Sequence, residues 1–383
     1  TTAYTYHGTS NRVHTVSQSD GTAMTLTYDA QNRVKTLMDG ESNVTEYFYD
    51  DANTTRVVIG GQTTTYRFDT NERLLSKEGV ANHQIIKTEY GYYADDTMHP
   101  GKLAWMKDGL GNQVNYTYDA RGNQLTQTDG EGRVVTKTYN SANLLETETL
   151  GDSTTHYIYN GYNHLRYIVD GEGGVTEFRY NALHQRTSQH IYTQAFSGAE
   201  VTGVKLNEWV LSLDKSAQQL TEYAYDFRGQ LQSRTTYSDV TREGTGTGTN
   251  NTTQYVYDVH GNLLQETMAN GRSSTLTYDG LGRVLTKTDA NQAQTSFIYN
   301  DATQTISTRY ANGLWETQTL DKTGALVSLA KGAGQGASEL GVERIYRDAQ
   351  GRAVATEDAE GARSYVLYDD AGRKRFTVDA LGA

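Results

Sequence analysis

Aromatic side chains recur two residues apart along this chain, at Tyr47 and Tyr49, Tyr66 and Phe68, Tyr116 and Tyr118, Tyr157 and Tyr159, Phe178 and Tyr180, Tyr223 and Tyr225, Tyr255 and Tyr257, and Phe297 and Tyr299. Residues i and i+2 of a strand share one face of a sheet, so each pair predicts a half-buried β-strand. Thr, Glu, Gln, Arg and Lys fill the alternate positions and predict a polar opposite face. Nearly every such strand ends on an aromatic residue followed by Asp or Asn. The aromatic residue of that dipeptide stands at 28, 49, 68, 118, 139, 159, 180, 225, 257, 278, 299 and 368. Where copies are consecutive the spacing is 19 to 21 residues, the period of one supersecondary unit copied many times.

Two copies show the unit in full. One runs from Tyr118-Asp119 through Gly122 to Asp129, Gly132 and then Tyr139; the other from Tyr278-Asp279 through Gly282-Arg283 to Asp289 and Tyr299. Each holds two turn signals, the first Asp-x-x-Gly in both copies. Asp at the head of a turn accepts backbone N–H groups, and Gly at its end permits positive φ. The same signals recur at Tyr28-Asp29, Tyr49-Asp50, Tyr159, Tyr180, Tyr225-Asp226 with Gly229, Tyr257-Asp258 with Gly261, Gly351-Arg352, and Tyr368-Asp369 with Gly372-Arg373. The six or seven residues between turns span about 20 Å of extended chain. The expected fold is all-β: tandem antiparallel hairpins of about 21 residues, meandering into a sheet of some thirty strands. A sheet that wide curls, splits or closes, so a spiralling wall or shell is expected, with the tyrosines stacked into ladders across it.

Four stretches break the rhythm. Residues 85–107 hold the sole proline, Pro100, and predict a long hairpin or loop. Residues 190–222 place Leu206, Trp209, Val210 and Leu213 at helical spacing, with Asn207 as the expected cap. Residues 240–254 predict a flexible Gly/Thr loop, and the Gly/Ala/Ser-rich 331–342 another. The repeat resumes after each, so residues 1–383 are expected to be a single array with insertions. The array begins and ends in mid-repeat, as a fragment of a larger shell would.

Composition sharpens this picture. Only 36% of residues are apolar, while Tyr reaches 29 and Gly 38, too many regular aromatics for a disordered chain. A net charge of −12 argues against nucleic-acid partners, which need clustered Lys and Arg. Cysteine is absent, so no thiolate metal site or disulfide frame is expected. No leader and no apolar run long enough to span a bilayer is visible.

The register of Tyr-Asp-x-x-Gly-Arg followed by Asp-x-x-Gly and a further Tyr-Asp resembles the RHS or YD repeat. The match is close from Tyr118 to Gly132, over Tyr278 to Arg283, and over Tyr368 to Arg373 with Asp379 and Gly382. The resemblance implies a spiralled β-shell of the kind found in bacterial polymorphic toxins, Tc-toxin B and C components and type VI secretion effectors, where it encloses a C-terminal toxic domain. Related repeats serve adhesion in wall-associated proteins and teneurins. Toxin members end their repeats in a segment of Asp-Pro-x-Gly motifs carrying self-cleaving aspartates; that segment is not found in residues 1–383, so toxin and protease activity are expected outside them.

Candidate chemistry is sparse. Asp129-Gly-Glu-Gly132 and Asp170-Gly-Glu-Gly173 could be calcium loops, but calcium wants six to eight oxygens and turn geometry explains the acids. His156 with His164, or His184 with His190, could meet across strands. No pair of carboxylates stands out for glycoside hydrolysis, and no nucleophile elbow is present. Arg283, Arg352 and Arg373 are placed to pair with a turn Asp or to stack on a Tyr. No catalytic, cofactor or metal site is expected. The partners expected are the rest of the shell, an enclosed C-terminal toxin domain and a delivery component, in a secreted or cell-surface bacterial protein. The alternative is a giant surface protein whose exposed tyrosines bind glycans or neighbouring cells.

Overall fold

A computed structural model describes residues 2–18, 21–81, 84–94, 98–333, 339–369 and 372–382. Among the described residues thirty-two strands join in one antiparallel sheet, with a single α-helix and one 3-10 turn. The fold is all-β. Strands adjacent in sequence pair with each other, as Val134–Tyr139 does with Gln124–Thr128 on one side and Leu145–Leu150 on the other. Among the described residues no pairing joins Thr2–Tyr6 to Lys374–Val378, and the sheet is open.

The hairpins follow from the turn residues. In the turn after Tyr118 the N–H of Gly122 donates to the carbonyl of Asp119, the N–H of Asp119 to that of Asn123, and Gly122 sits at φ +86°. This is a type I turn closed by a left-handed residue, the three-residue hairpin loop whose last residue forms a bulge. The bulge registers in the ladder: Thr117 faces Thr126, then Tyr118 faces Gln124.

The two faces differ. On one, threonine hydroxyls meet across strand pairs, Thr27 with Thr36 (2.6 Å), Thr117 with Thr126 (2.6 Å), Thr138 with Thr147 (2.7 Å) and Thr277 with Thr286 (2.7 Å). On the other lie the repeat tyrosines, half-buried.

The chain divides into two compact units. The first comprises Thr1–Tyr90, Lys107–Gly111 and Ala293–Ala383; the second Gly91–Met106 and Asn112–Gln292. In the first, turns far apart in sequence meet edge to edge. The backbone N–H of Lys322 donates to Glu41 Oε1 (2.7 Å), and Gln350 Nε2 donates to the carbonyl of Ile59 (3.1 Å) and to Gln62 Oε1 (2.8 Å).

The second unit holds a conventional hydrophobic core. Tyr167, Val169, Val175 and Tyr192 of the sheet pack against Leu206, Val210 and Leu213, with Trp209 and Phe196 at the rim. The helix expected from the spacing of Leu206, Trp209, Val210 and Leu213 spans Gly203–Ser212. Its cap is Thr202, whose hydroxyl accepts the N–H of Lys205 (3.3 Å). Asn207 is therefore not the cap; it lies inside the helix and faces the sheet. The Gly/Thr stretch 240–254 is also corrected. It is mostly strand, Leu231–Val240 pairing with Gly246–Tyr257, because alternating β-branched Thr suits an extended ladder despite its glycines. In the 85–107 insertion, strands Gln84–Tyr92 and Leu103–Lys107 flank residues 95–97, which lie outside the described residues. In 331–342, Leu326–Gly332 pairs with Glu339–Arg347, and residues 334–338 lie outside them.

Candidate functional site

The carboxylates of the repeat are committed to their own turns. Asp29 Oδ1 accepts the N–H groups of Gln31 (2.9 Å) and Arg33 (2.9 Å), while Oδ2 takes Arg33 Nε (2.8 Å). Asp129 with Arg133, Asp279 with Arg283 and Asp348 with Arg352 repeat this pattern, each Arg Nε at 2.7 Å; Arg373 reaches Asp369 at 2.9 Å. Asn123 and Asn262 replace the arginine at Asp119 (2.9 Å) and Asp258 (2.8 Å). Asp226 accepts from the backbone of Arg228 and Gln230, both at 2.9 Å, and Gly229 and Gly261 close their turns at φ +82° and +93°. Asp50 departs from the pattern. It lies in the strand Val44–Asp51 and pairs with Arg56, so that turn begins one residue later. At Asp129 and Asp170 one carboxylate oxygen, Oδ1, accepts two backbone N–H groups of the turn.

Nine repeat tyrosines are pinned at the hydroxyl. Tyr28 donates to the carbonyl of Val13 (2.7 Å), Tyr49 to Val34 (2.9 Å), Tyr118 to Leu103 (2.9 Å), Tyr139 to Gln124 (3.0 Å), Tyr180 to Leu165 (2.9 Å), Tyr278 to Leu263 (2.8 Å) and Tyr368 to Ala353 (3.0 Å). Tyr159 reaches Leu145, and Tyr225 reaches Arg186 across the helical insertion. Tyr257 sits at the same register shift as the others, and Tyr299 faces Ile306 in an unbroken ladder. The expected ring-on-ring ladders do not form in this way. Copies recur on every second strand, so about 9.6 Å separates their rings, beyond the 4.5–7 Å at which rings interact. Cations fill the gap: Arg33 lies over Tyr49 (4.0 Å), Arg352 over Tyr368 (4.7 Å) and Lys102 over Tyr118 (5.5 Å).

The histidine pairs are rearranged too. The rings of His164 and His184 lie 4.8 Å apart, on neighbouring hairpin turns of the same edge. His156 is set opposite Thr147 and Val169, and His190 Nε2 meets Ser188 Oγ (3.0 Å).

The densest chemistry lies under the helix and was not anticipated. Glu177 is fully buried. It takes Tyr192 hydroxyl (2.6 Å), Arg179 (3.0 Å) and Arg166 (2.5 Å). Tyr167 hydroxyl stands 3.3 Å from Glu177 and donates to Asn207 Oδ1 (2.7 Å), so the network joins helix to sheet. Burial pushes the Glu177 carboxyl up, but hydrogen bonds from Arg179 and Tyr192 and the two guanidinium charges outweigh it and hold it below the usual range. Burial raises Tyr167 to about 12 and Tyr192 further; burial and then Arg179 lower His190. A carboxylate sealed from solvent with every oxygen occupied serves as a structural anchor. The available signal was two tyrosines, Tyr167 and Tyr192, out of the Tyr-Asp register and preceding the one helical pattern.

The model of the RHS repeat family matches residues 118–155 and 278–314. Toxin protein Tse5 of Pseudomonas aeruginosa is 26% identical over 291 residues, covering 71% of this chain and 20% of Tse5. The tRNA3(Ser)-specific nuclease WapA of Bacillus spizizenii is 27% identical over 175 residues, covering 44% of this chain and 6% of WapA. The chain thus spans a fifth or less of the curated relatives it matches. Among solved structures, TcdB2-TccC3-TEV superposes with a TM-score of 0.71 at 13% identity, over 98% of this chain and 21% of that one. The Photorhabdus luminescens Tc holotoxin pore gives 0.57 at 14% identity, over 93% and 19%. At such identity the likeness is one of fold.

Proposed function

The chain belongs to the RHS-repeat family, and from that membership we propose that residues 1–383 are one structural array in the β-shell of a secreted bacterial toxin or effector. In this reading the shell encloses a C-terminal toxic domain outside this chain, and the segment is not itself catalytic. One observation carries the proposal: the groups that could do chemistry are spent on construction. Turn carboxylates hold turns, tyrosine hydroxyls hold carbonyls, and the buried Glu177 holds the helix. Toxin protein Tse5 supports it as a relative named for toxicity, and the Tc likeness as one of fold. Limited proteolysis of the toxin that carries this array tests the reading. A C-terminal fragment that survives until the repeats are cut is expected; one released as readily as any appended domain refutes encapsulation.

Adhesion through glycans remains the second reading, and one observation favours it. A cavity of about 430 Å³ is lined by Tyr310, Leu314, Trp315 and Leu340 beside Glu316 and Glu343. There Tyr310 and Leu314 replace the usual Asp and Arg of the turn. Saturable binding on a glycan array that disappears with Trp315→Ala would support adhesion.

A further inference from the structure

The turns that follow the repeat tyrosines all lie along one edge of the sheet, and in the second unit five successive ones make that edge apolar, after two turns that carry Ala120-Arg121 and Ser141-Ala142. Tyr162, Leu183, Phe227, Val259 and Leu281 occupy central turn positions on five successive hairpins, from 67% exposed at Leu281 to 97% at Phe227. Nothing in turn chemistry asks for large apolar residues there; Gly, Asn, Asp and Ser are preferred. Arg228 Nη1 bonds the carbonyl of Asp258 (2.6 Å) and the rings of Tyr162 and His184 lie 5.4 Å apart, so neighbouring turns touch and the five tips form one row. A contiguous exposed apolar row of this kind marks an interaction surface. The matching turns of the first unit carry Gln31, Asn71, Lys322 and Ala349.

The first unit also shows what such an edge packs against. Lys322 and Ala349 each follow the turn Asp, and each seats on a glycine of the opposite turn edge: a Cβ built on Gly40 would lie 2.5 Å from Lys322 Cβ, and one on Gly60 3.2 Å from Ala349 Cβ. Phe227 and Val259 hold the same turn position as Lys322 and Ala349. Gly130 of the second unit holds the position of Gly40, and a Cβ there would meet nothing nearer than 3.6 Å, which leaves an open seat.

We infer that the apolar edge at 160–164, 181–185, 226–230, 258–262 and 279–283 docks on the glycine-bearing turn edge of a second copy of this chain. The inference rests on the repeat-sheet reading for the nature of its occupant, and not on encapsulation. One chain carries both halves of this contact, so a second copy can supply the seat, in the head-to-tail manner of heterologous association. Sedimentation velocity of residues 1–383 across a concentration series tests it. Reversible association is expected, weakened at least about tenfold in the triple variant Phe227→Ser, Val259→Ser, Leu281→Ser. Hydrogen exchange of the unaltered chain, concentrated against dilute, should show added protection confined to the five turns and to a glycine-bearing edge. Sedimentation independent of concentration overturns the inference, as does a triple variant that associates like the parent or protection that falls elsewhere. A released cargo in the proteolysis experiment would leave it standing.

Discussion

In most repeats one tyrosine hydroxyl ties the end of its strand to the first residue of the strand before it, as Tyr139 does to Gln124. Tyr118→Phe removes the bond to the Leu103 carbonyl and keeps the ring, so a loss of about 1 kcal/mol is expected, read as a lower urea midpoint with an unchanged slope. The turn aspartates add a dependence on pH. Asp129 is held below the usual carboxylate range first by the Arg133 side chain, Asp119 first by Asn123, and Asp279 first by the backbone N–H of Arg283. In the unfolded chain these groups titrate near 3.9. Below that value the unfolded chain binds more protons than the folded one, so this stability is whole at neutral pH and is lost as pH falls through the depressed folded values. Urea midpoints should be flat above about pH 5 and fall below about pH 4, with the acid fall smaller in Asp129→Asn. Asp-x-x-Gly was legible in sequence because a few adjacent residues decide it. The hydroxyl pins were not, because donor and carbonyl lie on separate strands, and neither were the left-handed Asn143, Asn163 and His184 (φ +61°, +64° and +66°), where Asn or His stands in for glycine.

At the scale of elements, the helix Gly203–Ser212 is held by two separable means. Leu206, without exposure, supplies apolar packing, and Leu206→Ala should cost about 2–5 kcal/mol. Asn207, Tyr167 and Glu177 supply the polar anchor. Glu177→Gln leaves two guanidinium groups short of their buried counter-charge, at a cost of about 3–5 kcal/mol. Hydrogen exchange should rise across 203–212 in both variants; rapid exchange there in the parent would contradict the anchor. Helical spacing revealed the helix itself. It did not reveal Thr202 as cap, since Asn207 is the same kind of residue and only the fold shows that it faces Tyr167. The Gly/Thr strand was misjudged because composition hid the β-branched alternation.

At the scale of the molecule, the 21-residue period shows that strands follow one another but not which distant turns meet. Contacts such as Gln350 with Ile59 and Gln62, more than 280 positions apart, follow from the path of the sheet. In a repeat array each strand leans on its neighbours, and the two compact units should melt as two calorimetric transitions. Leu206→Ala should lower one; Glu41→Ala, which removes the acceptor of Lys322 N–H, should lower the other. A single transition shifted by either substitution would refute this independence. The turns also bear on how long the protein lasts. An aspartate before glycine is the weak point of ageing polypeptides, because the glycine nitrogen attacks the side-chain carbonyl and closes a succinimide. At Asp39, Asp108, Asp129, Asp170 and Asp279 that carboxyl is held instead by the N–H two residues on, and a clamped, ionised carboxylate is a poor electrophile. Isoaspartate should therefore accumulate at these sites only after unfolding, so that the peptide map of the protein carries a record of whether it ever lost its shape.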